Sequence, residues 1–187
     1  TVLVGMLLHG FYLGCCFYAI ANGQGAALTA LIVSTQPLLT TALAIFMFDE
    51  NPRAIQWLGI VLGFLGVVLV LSASIGKPVP TIAFASSLLG LIAITFGTLL
   101  QKKVGNQINL LKSNLIQAAA ATLFFLLLIS TIEVPRIEWT STFIGALAWQ
   151  VIVVSTGAYV ILMILIKRDS VATTTSLLFL VPPTTAL

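Results

Sequence analysis

The sequence predicts an all-α integral membrane protein, a polytopic helix bundle. Three observations carry that prediction. The chain of 187 residues is 59% hydrophobic and only 7% charged, with a mean hydropathy of +1.16, whereas a soluble domain is roughly a quarter charged. No Asp, Glu, Lys or Arg precedes Asp49, and a water-soluble fold could not hide so long an apolar stretch. The apolar residues also come in separate segments near the length, about 20 residues, that a helix needs to cross a bilayer. Runs this long exclude a β-barrel, whose strands alternate in polarity. Inside lipid the backbone must then be helical to satisfy its own polar groups.

Seven segments fit a span, at 1–22, 25–48, 54–75, 81–101, 112–132, 141–166 and 170–187. Each boundary has a local cause. Asn22-Gly23-Gln24-Gly25 reads as a turn. Asp49-Glu50-Asn51-Pro52-Arg53 ends the second segment and begins the third, with Asn51 as N-cap and Pro52 as first helical residue. Gly76-Lys77-Pro78-Val79-Pro80 breaks the chain again, and 101–112 carries three lysines. Glu133-Val134-Pro135-Arg136 and Lys167-Arg168-Asp169 close the fifth and sixth segments.

Basic residues orient the bundle. Arg53, Lys102, Lys103, Lys112, Lys167 and Arg168 fall in the connectors at 49–53, 101–112 and 167–169, against Lys77 and Arg136 in the alternate ones. This bias assigns those three connectors to the cytoplasm. The net charge of +3 is not a nucleic-acid signal, because the basic residues lie in scattered connectors. Cys15 and Cys16 are adjacent, so their side chains diverge on a helix and read as small buried residues without a disulfide. One histidine and no Cys/His cluster predict no metal site, and no cofactor motif is present.

Residue i compared with residue i + 145 aligns Ala27 with Ala172, Thr29 with Thr174, Pro37 with Pro182 and Thr40 with Thr185. The matched segments are the second and the seventh, an odd number of steps apart in the order of spans, so they run in opposite directions. That is the signature of an inverted repeat, with a site expected between the halves near the midplane.

The stretch AALTALIVSTQPLLTTALAIFMFDENPRAIQWLGIVLGFLGVVLVL at 26–71 resembles the fourth and fifth helices of the EamA family, in the drug/metabolite transporter superfamily. LGLIAITFGTLLQKKV at 89–104 is similar to its sixth helix, and SLLFLVPPTTAL at 176–187 to the start of its ninth. Asp49 departs from the family pattern, which usually has Gly there, whereas Glu50 matches. The resemblance implies ten helices in two inverted five-helix repeats. Residues 1–75 would then end the first repeat and 81–187 begin the second, the chain being an internal stretch of a longer one. It also implies a multi-pass carrier of a bacterial inner membrane, built around a central cavity.

Polar residues inside spans are the candidate cavity residues, because lipid does not tolerate them. Thr29, Gln36 and Thr40 share one helical stripe. His9 and Tyr12 share a face of the first segment, and Ser155, Thr156 and Tyr159 a face of the sixth. Thr95, followed by Thr98 and Gln101, forms a track on the fourth. Pro37 and Pro182 are candidate hinges, since each removes a helix hydrogen bond and frees a carbonyl, that of Val33 for Pro37. The glycines Gly10, Gly14, Gly59, Gly63 and Gly66 have close-packing spacings. No Asp or Glu lies within a span, and no nucleophile–base pair is visible, so no catalytic residue and no enzyme is expected. The function expected is a permease that exports or exchanges a small metabolite, such as an amino acid or drug-like solute, by alternating access. Its partners would be that solute and the lipid bilayer, with a homodimer among the assemblies it allows. The competing expectation is a non-transporting membrane partner whose polar stripes are only interhelical packing.

Overall fold

The chain alternates long apolar helices with short polar turns. A computed structural model describes residues 1–49, 52–72, 78–105, 110–132 and 137–157. The first span is α1 (Val2–Gly5), a π-helical stretch π1 (Met6–Phe11) and α2 (Tyr12–Ala21). It is followed by α3 (Ala26–Ser34), α4 (Gln36–Phe48), α5 (Ala54–Leu71), α6 (Thr81–Gly105) and α7 (Leu110–Ile132). The last helix among the described residues, α8 (Ser141–Trp149), runs on into a second π-helical stretch, π2 (Gln150–Gly157). Among the described residues, four helical stretches are long and apolar enough to cross a membrane: Val2–Ala21, Ala26–Phe48, Thr81–Val104 and Lys112–Thr131. Ala54–Leu69 and Ser141–Val153 are shorter apolar helices, and the segment predicted at 170–187 lies outside the described residues. The fold is thus all-helical and polytopic as expected.

The turns follow from their residues. Gly23 takes a φ of 91°, a backbone that only glycine adopts freely, and closes the turn after α2. Asp49 ends α4 in the left-handed region at φ 52°, ψ 34°. A glycine would meet no steric cost there, which gives a physical reason for the residue the EamA pattern has at this position. The cap of α5 corrects the sequence expectation. Pro52 lies before the helix, and the N-cap is Arg53 in an extended backbone, whose N–H donates to Gln56 Oε1 at 2.7 Å. The preceding residue, Asn51, lies outside the described residues. At α8, Thr140 is the cap, its Oγ1 accepting the Phe143 N–H at 3.2 Å.

The core is organised on α6, which packs against π1 and α1 to α4. Ala83, Ser87, Leu91, Thr95 and Leu99 recur every fourth residue and are all buried. Ser86, Gly90, Ala93 and Gly97 widen that face. Small residues let helices approach closely where the hydrophobic effect between helices is absent. A Cβ on Gly90 would lie 3.3 Å from the Cys16 sulfur, and one on Gly97 would lie 2.7 Å from Leu8 Cδ2. α7 closes against α1 and π1. There a Cβ on Gly5 would overlap the Gln117 backbone, and one on Gly10 would lie 2.9 Å from Phe124 Cδ1. Gly59 and Gly66 differ from expectation: no atom of another described residue lies within 4 Å of an added Cβ. Cys15 and Cys16 are free thiols, Cys16 buried as expected and Cys15 only half-buried.

Contacts at the two ends of the bundle agree with alternating spans. Gly23 lies beside Pro80, which brings the first and third connectors to one end. Lys102 Nζ sits 5.1 Å from the Phe48 ring centre, which brings the second and fourth connectors to the other. Outward, Phe46, Leu69, Leu115 and Leu127 are largely exposed, as lipid-facing side chains would be.

Candidate functional site

The second span breaks at Thr35, between α3 and α4, where the backbone leaves ideal helix at φ −75°, ψ −12°. Pro37 sits in the first turn of α4, where its missing N–H costs no intrahelical bond. The freed carbonyls find partners locally. Backbone N–H groups at the Thr35 cap take the carbonyls of Ile32 and Val33. Ser34 Oγ donates to Leu31 O and Thr35 Oγ1 to Ile32 O, both at 2.6 Å. The break is therefore a complete hydrogen-bonded turn.

Gln36 begins α4 at this break. Its Nε2 donates to Thr98 Oγ1 at 3.1 Å and, in a longer contact, to Thr40 Oγ1 at 3.4 Å. Thr98 Oγ1 in turn donates to Ile94 O at 2.7 Å. Gln36, Thr40 and Thr98 are all half-buried. This cluster ties the broken second span to the central helix α6.

The stripe of Thr29, Gln36 and Thr40 divides between two networks. Thr29 is buried and belongs to a separate one, accepting from Gln24 Nε2 at 3.0 Å and donating to Gly25 O at 3.3 Å. Ser87 Oγ donates to Phe84 O at 2.8 Å and reaches Gln24 Oε1 at 3.4 Å. Gln24 was expected only as part of a turn, yet it is 2% exposed and the hub of this network. Its backbone N–H also donates to Ala19 O at 3.0 Å. Thr95 is fully buried in the α6 core and donates to Leu91 O at 2.7 Å.

A third network is absent from the sequence expectations. Gln117 Nε2 donates to Gln101 Oε1 at 2.7 Å and to Ser113 Oγ at 2.9 Å, joining α7 to α6. Its signal was available: a glutamine within an apolar span must find a partner.

His9 lies in π1 and is exposed, with no hydrogen bond to a described residue, while Tyr12 is half-buried at the start of α2. These two are not brought to the Gln36 cluster by any described contact. The backbone of Ser155 and Thr156 lies in π2, with their side chains outside the described set. Tyr159 and Pro182 lie outside the described residues altogether. A shallow concavity lined by Ile137, Glu138, Thr140 and Phe143 includes none of these candidates.

Comparison with known proteins supports the resemblance. Residues 1–72 match the EamA-like transporter family. The chain is 26% identical over 164 residues to the "Uncharacterized transporter YvbV" of Bacillus subtilis (strain 168), covering 86% of this chain and 53% of that protein. It is 32% identical over 89 residues to the "Probable amino-acid metabolite efflux pump" of Salmonella typhimurium (strain LT2), covering 47% of this chain and 30% of the pump. The chain thus spans about half the length, or less, of these curated relatives. No solved structure matches it. The names are those of transporters rather than enzymes, both from bacteria. With its apolar helices of spanning length, the chain is a multi-pass membrane protein whose residues 1–72 are similar to the EamA-like transporter family.

Proposed function

We propose that the protein of which this chain is part carries a small metabolite across a bacterial inner membrane by alternating access. The observation that carries this reading is the Gln36–Thr40–Thr98 cluster at the helix break, in a chain similar to the EamA-like transporter family over residues 1–72. Gln36 offers an amide that can exchange its protein partners for a solute, and it is only half-buried. His9, Tyr12, Thr29, Thr95, Ser155, Thr156 and Tyr159 complete the lining set. Pro37 and Pro182 act as hinges in two inverted halves, 1–75 and 81–187. An amino acid or similar zwitterion is the favoured solute class. One relative's printed name concerns amino-acid metabolites, and the spans offer hydroxyls and amides without a carboxylate. The connectors at 49–53, 101–112 and 167–169 face the cytoplasm in this reading, by the excess of basic residues.

One observation favours the second reading, a non-transporting membrane partner. Both Gln36 amide contacts stay within the bundle, as interhelical glue would. Counterflow separates the two. The full-length protein is reconstituted in liposomes and tested with labelled amino acids, sugars, nucleosides and organic cations, with and without a proton gradient. The carrier reading expects exchange of one solute class, lost in Gln36→Ala and reduced in His9→Ala. Absence of exchange across the whole panel would favour the partner reading.

A further inference from the structure

Among the described residues, two stretches depart from α-helix in the same unusual way. π1 covers Met6–Phe11 and π2 covers Gln150–Gly157, each with the wide turn of a π-helix. The offset of 145 that aligns Pro37 with Pro182 carries 150–157 onto 5–12. The two wide turns therefore coincide to within one residue at either end. The prolines and threonines that define the offset lie in other spans, so the coincidence is independent of them. π-helical turns are rare, and they occur often where a helix serves a function.

A π turn holds one residue more than the α turn it replaces. Converting it to α turns the downstream helix by about 100° and advances it by about 1.5 Å. The conversion exchanges one backbone hydrogen-bond pattern for another, so lipid does not forbid it. π1 lies between two anchored pieces. Before it, Gly5 packs against the Gln117 backbone and Val4 is 2% exposed. After it, Ser86 Oγ donates to Cys15 O at 2.9 Å, and Cys16 and Ala19 are buried. α1 is thus fixed on α7 and α2 on α6, and π1 absorbs the difference in register between them.

We propose that π1 and π2 are a matched pair of joints, each converting between π and α turns as the two halves change the side to which the cavity opens. This rests on the carrier and repeat readings above, but its test does not need a transported solute. Amide hydrogen exchange of the full-length protein in lipid nanodiscs reads the joints directly. Residues 94–99 of α6 and 117–124 of α7 serve as depth-matched standards, since they contain Gly97 and Phe124, the neighbours of Leu8 and Gly10. The joints are expected to exchange about tenfold faster than these standards, and faster than α2. Exchange of 6–11 or 150–157 at the standards' rate overturns the proposal. Deletion of Met6 removes one residue from the wide turn while α1 and α2 keep their own registers. It is expected to slow exchange at 7–12 to the standards' rate, with Met6→Ala remaining like wild type. A deletion variant that folds and still exchanges quickly at 7–12 also overturns it. Failure of counterflow in wild type would strike the carrier reading instead, and the exchange rates would still decide whether the joints exist.

Discussion

Replacing Gln24 by leucine separates hydrogen bonding from burial in the Gln24–Thr29–Ser87 network. The side chain is 2% exposed and makes two contacts, Nε2 to Thr29 Oγ1 at 3.0 Å and Ser87 Oγ to Oε1 at 3.4 Å. Only the first has ordinary hydrogen-bond length. Interhelical hydrogen bonds in membrane proteins average about 0.6 kcal/mol, with a maximum of about 1.7. Leucine leaves neither hydroxyl without an acceptor, because Thr29 still donates to Gly25 O and Ser87 to Phe84 O. No desolvation penalty for an orphaned donor is therefore added. Leucine also fills nearly the same volume, so Gln24→Leu should cost only about 1 kcal/mol. Gln24→Ala adds a cavity and should cost about 2 kcal/mol more. Reversible unfolding by sodium dodecyl sulfate in mixed micelles measures both. A Leu variant destabilised by about 3 kcal/mol or more would mean that Thr29 or Ser87 depends on the amide. Equal costs for Leu and Ala would mean that the side chain is not packed as described.

Three further outcomes concern glycines and a cap. Gly5→Leu should lower the unfolding midpoint strongly, by overpacking worth about 1–3 kcal/mol or more, because its Cβ would meet Gln117 backbone rather than a flexible side chain; a midpoint equal to wild type would refute the α1–α7 contact. Gly59→Ala has no described neighbour to displace, and helix propensity should raise stability by up to about 1 kcal/mol. A measured loss would place another helix against that face. Asp49→Gly should stabilise the cap of α4 by roughly 1 kcal/mol, since the left-handed backbone at φ 52° strains a side-chain-bearing residue; thermal unfolding in detergent would show a higher midpoint, and a lower one would count against the left-handed cap.

The spans were legible because hydropathy and segment length are read directly from residue order. The turn at Gly23 and the break at Thr35–Pro37 were legible because glycine permits backbone conformations closed to other residues and proline restricts them. The Gln36 stripe was legible only in part. Helical spacing put Thr29, Gln36 and Thr40 on one face, but the break at Thr35 sends Thr29 to a different network. Gln24 was missed because its glycine neighbours read as a turn, and tertiary packing then buried that turn against α6. Gln117 was hidden beside the alanine run at 118–121, although its cost in lipid was the clue. The cap of α5 was misplaced by one preference, proline at the first helical position, which the Arg53–Gln56 contact overrode. The π turns leave no comparable trace, because a wide turn answers to the registers of two neighbouring helices rather than to its own residues.

Water access to the Gln36 cluster separates a carrier from a closed bundle. The measurement is the reaction of a membrane-impermeant thiol reagent with Gln36→Cys, and with Ser155→Cys, in the full-length protein after Cys15 and Cys16 are replaced. A cavity between the halves predicts labelling at both positions, from the aqueous side to which it opens. Both positions inert, in a protein that is folded and fully labelled at an exposed connector cysteine, would contradict the carrier reading and leave the polar stripe as packing between helices.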